Sequence, residues 1–173
     1  MTEMTTGRRA VYPGSFDPPT IAHLAIAFAA LEQCACSSLT FVLSRAALGK
    51  EHRDATVDLR AAVLRDLLDD ERCRVEVTSS RLIAEIAHGY DVVVVGADKW
   101  AQMLDATWYP DAAAHEAALG ELPHVALVPR PSHPNLSSSV PMTVLTLADP
   151  ALFDVSSSAV REGRDEWRAR RVP

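Results

Sequence analysis

Tyr12-Pro13-Gly14-Ser15-Phe16-Asp17-Pro18-Pro19-Thr20-Ile21-Ala22-His23 is the stretch whose reading decides the fold. The apolar run ending at Tyr12 reads as a strand, and Pro13 and Gly14 stop it. Pro18 and Pro19 then hold the chain extended and forbid helix until Thr20. From Ile21 the apolar spacing turns helical, and Ile21, Leu24, Phe28 and Leu31 recur at the interval that lines one buried face. Thr20 suits the N-cap, its hydroxyl placed to accept the N–H of Ala22 or His23. The stretch is thus a strand, a tight turn and a helix with a hydroxyl and an imidazole in its first turn. Unpaired N–H groups and roughly half a positive charge gather at such a helix end, which favours a phosphate.

Working outward, strands and helices alternate. Leu39 to Leu43 is a short apolar strand of the kind covered on both faces. Ser44 to Arg53 is a basic loop, and Asp54 to Asp69 a helix with Val57, Ala61, Leu64 and Leu68 on one side. Cys73 to Thr78 alternates and suits a strand near a sheet edge, and Ser80 to Ala87 reads as a short helix capped by Gly89. The four valines 92 to 95 read as a central strand running into Gly96-Ala97-Asp98. Lys99 to His115 is helical in places, His124 to Val128 is a strand, and Ser132 to Pro141 is a Ser/Pro-rich loop. Met142 to Leu147 suits a last strand and Ser156 to Glu162 a short helix.

This order predicts an α/β fold: a Rossmann-like, doubly wound, mostly parallel five- or six-stranded sheet with helices on both faces. One domain is expected over residues 8–163, with tails at 1–7 and 164–173. Ligands in such sheets sit beyond the carboxyl ends of the strands, where strand order reverses. The loops to watch are therefore those after strands one, two and four.

Composition narrows the function. The chain has 173 residues, 48% hydrophobic and 23% charged, and a formal charge of −6, which argues against broad capture of nucleic acid. A phosphate site must then be a local concentration of positive groups. Cys34, Cys36 and Cys73 are odd in number and form no C-x-x-C pair, so neither disulfides nor zinc is indicated. No stretch approaches the length of a membrane span, and a reduced, cytoplasmic protein is expected. Whether it forms a homo-oligomer is left open.

A second informative stretch is Asp154-Val155-Ser156-Ser157-Ser158-Ala159-Val160-Arg161. Serines opening a short helix, with an arginine about a turn away, bind anions without a metal. Gly49-Lys50 fails as a P-loop, because position 44 is Ser and position 51 is Glu. The six histidines form no i, i+4 pair, and neither G-x-S-x-G nor G-x-G-x-x-G occurs.

Both stretches resemble signatures of the nucleotidylyltransferase superfamily. The first is similar to (H/T)-x-G-H in its G-S-F-D-P context, with Ala22 in place of the glycine. The second is similar to I-S-S-T-x-x-R, and the two stand in the family's order. The resemblance implies ATP contacts at Gly14, Ser15, Phe16, Thr20, Ala22, His23, Gly96, Asp98, Ser156, Ser157 and Arg161, with magnesium held mainly by ATP phosphates. It gives catalytic roles to His23, Lys50 and Arg161. Gly96-Ala97-Asp98, Trp108 and Val128-Pro129-Arg130-Pro131 look like the nicotinate or nicotinamide mononucleotide adenylyltransferase branch. There Ser15, Lys50, Trp100, Trp108 and Arg130 are expected at the acceptor, with Trp108 or Trp100 stacked on its ring. The implied partners are ATP and a mononucleotide or other phosphate-monoester acceptor, in NAD biosynthesis. Tyr12 to Pro18 also looks like phosphopantetheine adenylyltransferases of coenzyme A biosynthesis. Ala22 keeps open a non-catalytic nucleotide-binding descendant, and cytidylyl transfer from CTP is a further alternative.

Overall fold

A computed structural model describes residues 7–46, 56–133 and 138–171. The elements are β1 (Arg8–Pro13), α1 (Ile21–Gln33), β2 (Cys36–Ser44), α2 (Val57–Leu67), β3 (Cys73–Thr78) and α3 (Ile83–Ala87). They continue with β4 (Val92–Gly96), α4 (Ala97–Leu104), α5 (Ala112–Gly120), β5 (His124–Val128), β6 (Met142–Val144) and α6 (Ser157–Arg161). The six strands form one parallel sheet in the order β3-β2-β1-β4-β5-β6. The chain moves outward from β1 to β3, returns to place β4 beside β1, and continues to β6. Strand order therefore reverses between β1 and β4, and the crevice beyond their carboxyl ends is where such a sheet takes its ligand.

The valine run shows why this strand lacks polar alternation. Val92 and Val94 enter the core beneath α1 and α2, and Val93 and Val95 enter the core beneath α3 and α4. Both faces are covered, so both sets of side chains are apolar. β3, whose sequence alternates, lies at the sheet edge as its pattern predicts.

Two expectations are corrected. The buried face of α1 is Ala22, Ile26, Ala27, Ala30 and Leu31, whereas Phe28 is 41% exposed and Ile21 also faces outward. The alanines bring the helix backbone close to the sheet beside Ile26 and Leu31, while Ile21 and Phe28 occupy the outer side. The spacing of large side chains gave the right periodicity and placed Leu31 correctly, but put Ile21 and Phe28 on the buried face where the structure has them outside.

The stretch from 164 onward is also more than a tail. It forms a 3-10 turn at Asp165–Trp167, Arg168 bridges Thr20, and the Ala169 N–H donates to the Pro19 carbonyl at 3.0 Å. Ala169 is buried, and Arg171 pairs with Asp66 on α2 at 3.7 Å and with Asp69 just beyond that helix at 3.1 Å. The chain end thus straps the turn that follows β1. Among the described residues no helix is long and apolar enough to cross a membrane.

Candidate active site

The turn between β1 and α1 is held by packing and by hydrogen bonds. Phe16 takes a positive φ of 46°, which folds its ring back over Gly14, where a Cβ would meet Cζ at 2.5 Å. Only glycine leaves that ring its place. The Phe16 ring then stands edge-on to Tyr12, Phe41 and His23, with centroids 5.3, 5.3 and 4.9 Å away. The Gly14 N–H donates to the Val42 carbonyl at 3.0 Å, and the buried Arg60 on α2 donates to the Ser15 carbonyl.

Thr20 and His23 form a reciprocal cap at the start of α1. The Thr20 N–H donates to His23 Nδ1 at 3.0 Å, and the His23 N–H reaches Thr20 Oγ1 at 3.4 Å. A nitrogen that accepts an N–H carries no proton, so the neutral ring holds its proton on Nε2. Thr20 is fully buried and serves as the cap beneath this ring.

His23, Gly14, Ser15 and Phe16 line a cavity of about 240 Å³ together with Gly96, Asp98, Trp108 and Arg130. Among the described residues its charged lining comprises Arg81, Lys99, Arg130 and the single carboxylate Asp98. The excess of positive groups over one acid, in a chain of charge −6, is the local concentration that phosphate binding requires. Asp98 lies close over Gly96, where a Cβ would meet Oδ1 at 2.8 Å. Arg130 donates to the carbonyls of Phe153 and Val155, the latter at 3.2 Å, which ties the end of β5 to the segment leading into α6. Burial pushes the Tyr12 hydroxyl far above its usual range; Arg130 works against that shift and Asp98 adds to it. Tyr12 is therefore a neutral wall of the site.

Other expected site residues lie elsewhere. Trp100 is 0% exposed in the core between α4 and the sheet, with Nε1 lacking a hydrogen-bond partner among the described residues. Stacking on an acceptor is closed to it, a correction that leaves Trp108, 48% exposed at the cavity, as the tryptophan available to a ring. Ala22 is 2% exposed and points its methyl into the core. Ser156 caps α6 by accepting the Ala159 N–H at 3.2 Å, and Ser157 Oγ donates to the Pro18 carbonyl at 2.8 Å. Arg161 donates to the Asp17 carbonyl and to Ser158 Oγ, the latter at 3.1 Å. None of these three lines the cavity; Ser157 and Arg161 bond to the backbone of the turn that does. Lys50 lies outside the described residues, and nearby Arg45 is engaged by Asp58 through two bonds of 2.7 and 3.0 Å.

Sequence reasoning gave no role to Arg60, Arg81 or Lys99. Arg60 was detectable, since Val57, Arg60, Ala61 and Leu64 form one helical stripe and an arginine on an apolar stripe needs a buried partner. Lys99 and Gln102 sit one turn apart on α4 and bond at 2.5 Å. Arg81 follows no pattern that marks it.

The cytidylyltransferase-like family model matches residues 11–163. Among curated proteins no sequence matches. Solved structures include the nicotinic acid mononucleotide adenylyltransferase of Plasmodium falciparum complexed with NaAD. It is 16% identical at a TM-score of 0.63, over 89% of this chain and 82% of that one. The same enzyme complexed with APC gives 14% identity and a TM-score of 0.64, over 90% and 83%. Likeness at this identity establishes the shared fold. Because the family match runs from inside β1 to two residues past α6 and takes in both motif stretches, this chain belongs to the cytidylyltransferase-like family of nucleotidyltransferases.

Proposed function

We propose that this protein is an adenylyltransferase that moves AMP from ATP to the phosphate of nicotinate or nicotinamide mononucleotide, with release of pyrophosphate. The observation that carries the reading is the capped His23, which brings a protonated Nε2 to a cationic cavity at the β1–β4 switch point. An oxygen of the acceptor phosphate attacks the α-phosphorus in line. The bond from that phosphorus to the bridging oxygen breaks, and the pair of electrons leaves with pyrophosphate. No covalent intermediate with the protein is required. His23 Nε2 donates to phosphate oxygens as their charge grows, and the Thr20 N–H keeps the donating tautomer in place.

At about 240 Å³ the cavity is smaller than the ~300–1,000 Å³ usual for a drug-sized ligand, so two nucleotides would extend past it. ATP phosphates would reach toward Ser156, Ser157 and Arg161 at α6, and Lys50 keeps its proposed role at the phosphates near transfer. Among the described residues no group of three potential metal ligands occurs, and Asp98 is the one carboxylate in the lining. That donor set fits magnesium carried by the nucleotide's own phosphates, where it would neutralise the leaving pyrophosphate. The Ala22 methyl is taken up by the core, so it leaves the cavity side of the turn open to nucleotide. Trp108, which lines the same cavity as Asp98, favours a pyridine acceptor over phosphopantetheine. The solved relatives in complex with NaAD and APC support the same choice.

The test is pyrophosphate release with magnesium and ATP or CTP, offering nicotinate mononucleotide, nicotinamide mononucleotide and phosphopantetheine separately. Release is expected with ATP and a pyridine mononucleotide, and His23→Ala should lower kcat about 10²–10³-fold, the cost of one transition-state donor. Release only with phosphopantetheine or only with CTP would move the protein to another branch. ATP binding without release from any pair would make it a nucleotide-binding module.

A further inference from the structure

We propose that Arg81 makes the acceptor site selective for an acceptor with a second anionic group, and so for the nicotinate over the nicotinamide mononucleotide. This rests on the pyridine-nucleotide reading above and narrows it.

The cavity's cations are not equivalent. Arg130 bonds two backbone carbonyls, and Lys99 bonds Gln102. The Arg81 guanidinium has no partner among the described residues; only its backbone N–H is engaged, to Glu85 at 3.3 Å. Arg81 lines the cavity together with Ile83, Ile86 and Val42, so a guanidinium with no side-chain partner among the described residues joins a largely apolar set of side chains. Such a set suits a flat or aliphatic body that ends in an anion.

Its position separates this anion from the reacting phosphate. Arg81 follows β3, which stands two strands from β1, a lateral offset of roughly 10 Å at about 4.8 Å per strand. His23 and the Gly14 turn follow β1. The gap is comparable to a ribose and a pyridine ring, so a phosphate at His23 leaves the far end of a mononucleotide facing Arg81. A carboxylate there accepts the guanidinium's paired N–H groups, and a carboxamide offers one neutral oxygen and an NH₂ that opposes them. The neutral thiol end of phosphopantetheine gives Arg81 nothing to bind.

The experiment compares wild type, Arg81→Gln and Arg81→Lys for kcat/KM and for equilibrium binding of both pyridine mononucleotides, with melting curves as the check on folding. Wild type should favour the nicotinate form. Arg81→Gln should lose about 10-fold with it, chiefly in KM, the size of one charge-assisted hydrogen bond. The nicotinamide form should change less than about 2-fold, and Arg81→Lys should recover part of the preference. An equal fall for both acceptors would place Arg81 on their common phosphate, and no change would leave it idle; either overturns the assignment. A binding preference that depends on Arg81 without turnover would sink the enzyme reading and keep the site. Neither binding nor turnover of a pyridine mononucleotide would sink both.

Discussion

On its cavity side, the turn between β1 and α1 presents His23 and the stretch Gly14 to Phe16. Its remaining half instead gives up carbonyls: Asp17 to Arg161, Pro18 to Ser157 and Pro19 to the Ala169 N–H. The front half lines the cavity, and the back half is fixed by chain from residues 157–169. A turn has few hydrogen bonds of its own, so donors from elsewhere must satisfy its buried carbonyls. The two motif stretches are therefore one device, in which the second holds the first against the end of β1.

The largest break in that comparison is expected at Arg161. Its removal leaves the carbonyl of the buried Asp17 without this donor, and Arg161→Ala should cost about 1–3 kcal/mol of stability. At roughly 2–4 °C per kcal/mol for a chain of this size, melting should fall visibly in the absence of nucleotide. Turnover should fall at least about 10-fold, since small misplacements of reacting groups are costly. A variant that melts like wild type without nucleotide but loses ATP binding would make Arg161 a phosphate ligand alone.

How far the sequence went is visible in these same residues. The β1–turn–α1 unit and the doubly wound order were legible because Gly, Pro and the N-cap Thr20 act locally, and the valine run announces a strand covered on both faces. Partners distant in the chain were not. Nothing in Val155 to Arg161 says that its donors point at Asp17 and Pro18, nor that Ala169 returns to Pro19. Trp100 and Trp108 carry the same side chain eight positions apart, and α4 turns the first into the core while the 3-10 turn after it leaves the second at the cavity. The face of α1 was partly misread because alanines, which carry little hydrophobic signal, were chosen for close approach.

A smaller effect is expected where the strap meets the turn. Ala169→Pro removes the one N–H that reaches Pro19 while leaving the cavity lining untouched. The loss should be about 1 kcal/mol, a shift of roughly 2–4 °C, with KM values near those of wild type. Differential scanning calorimetry beside steady-state kinetics separates the two readouts. An unchanged melting temperature would mean that α6 alone supports the back of the turn.

The smallest effect on stability belongs to the front. Trp108 is half exposed at the cavity, so Trp108→Ala should change folding stability by no more than about 0.5 kcal/mol, as at an ordinary surface position. Under the proposed function it would also stack on an acceptor ring, and aromatic stacking contributes about 0.5–1.5 kcal/mol beyond area burial. That predicts a rise of roughly 2- to 10-fold in acceptor KM, an ATP KM near the wild-type value, and quenching of indole fluorescence on acceptor binding that the variant lacks. If Trp108→Ala instead melted early with both KM values unchanged, the residue would belong with the supports of the fold. The division between a front that meets substrate and a back that holds it would then run through the cavity wall itself.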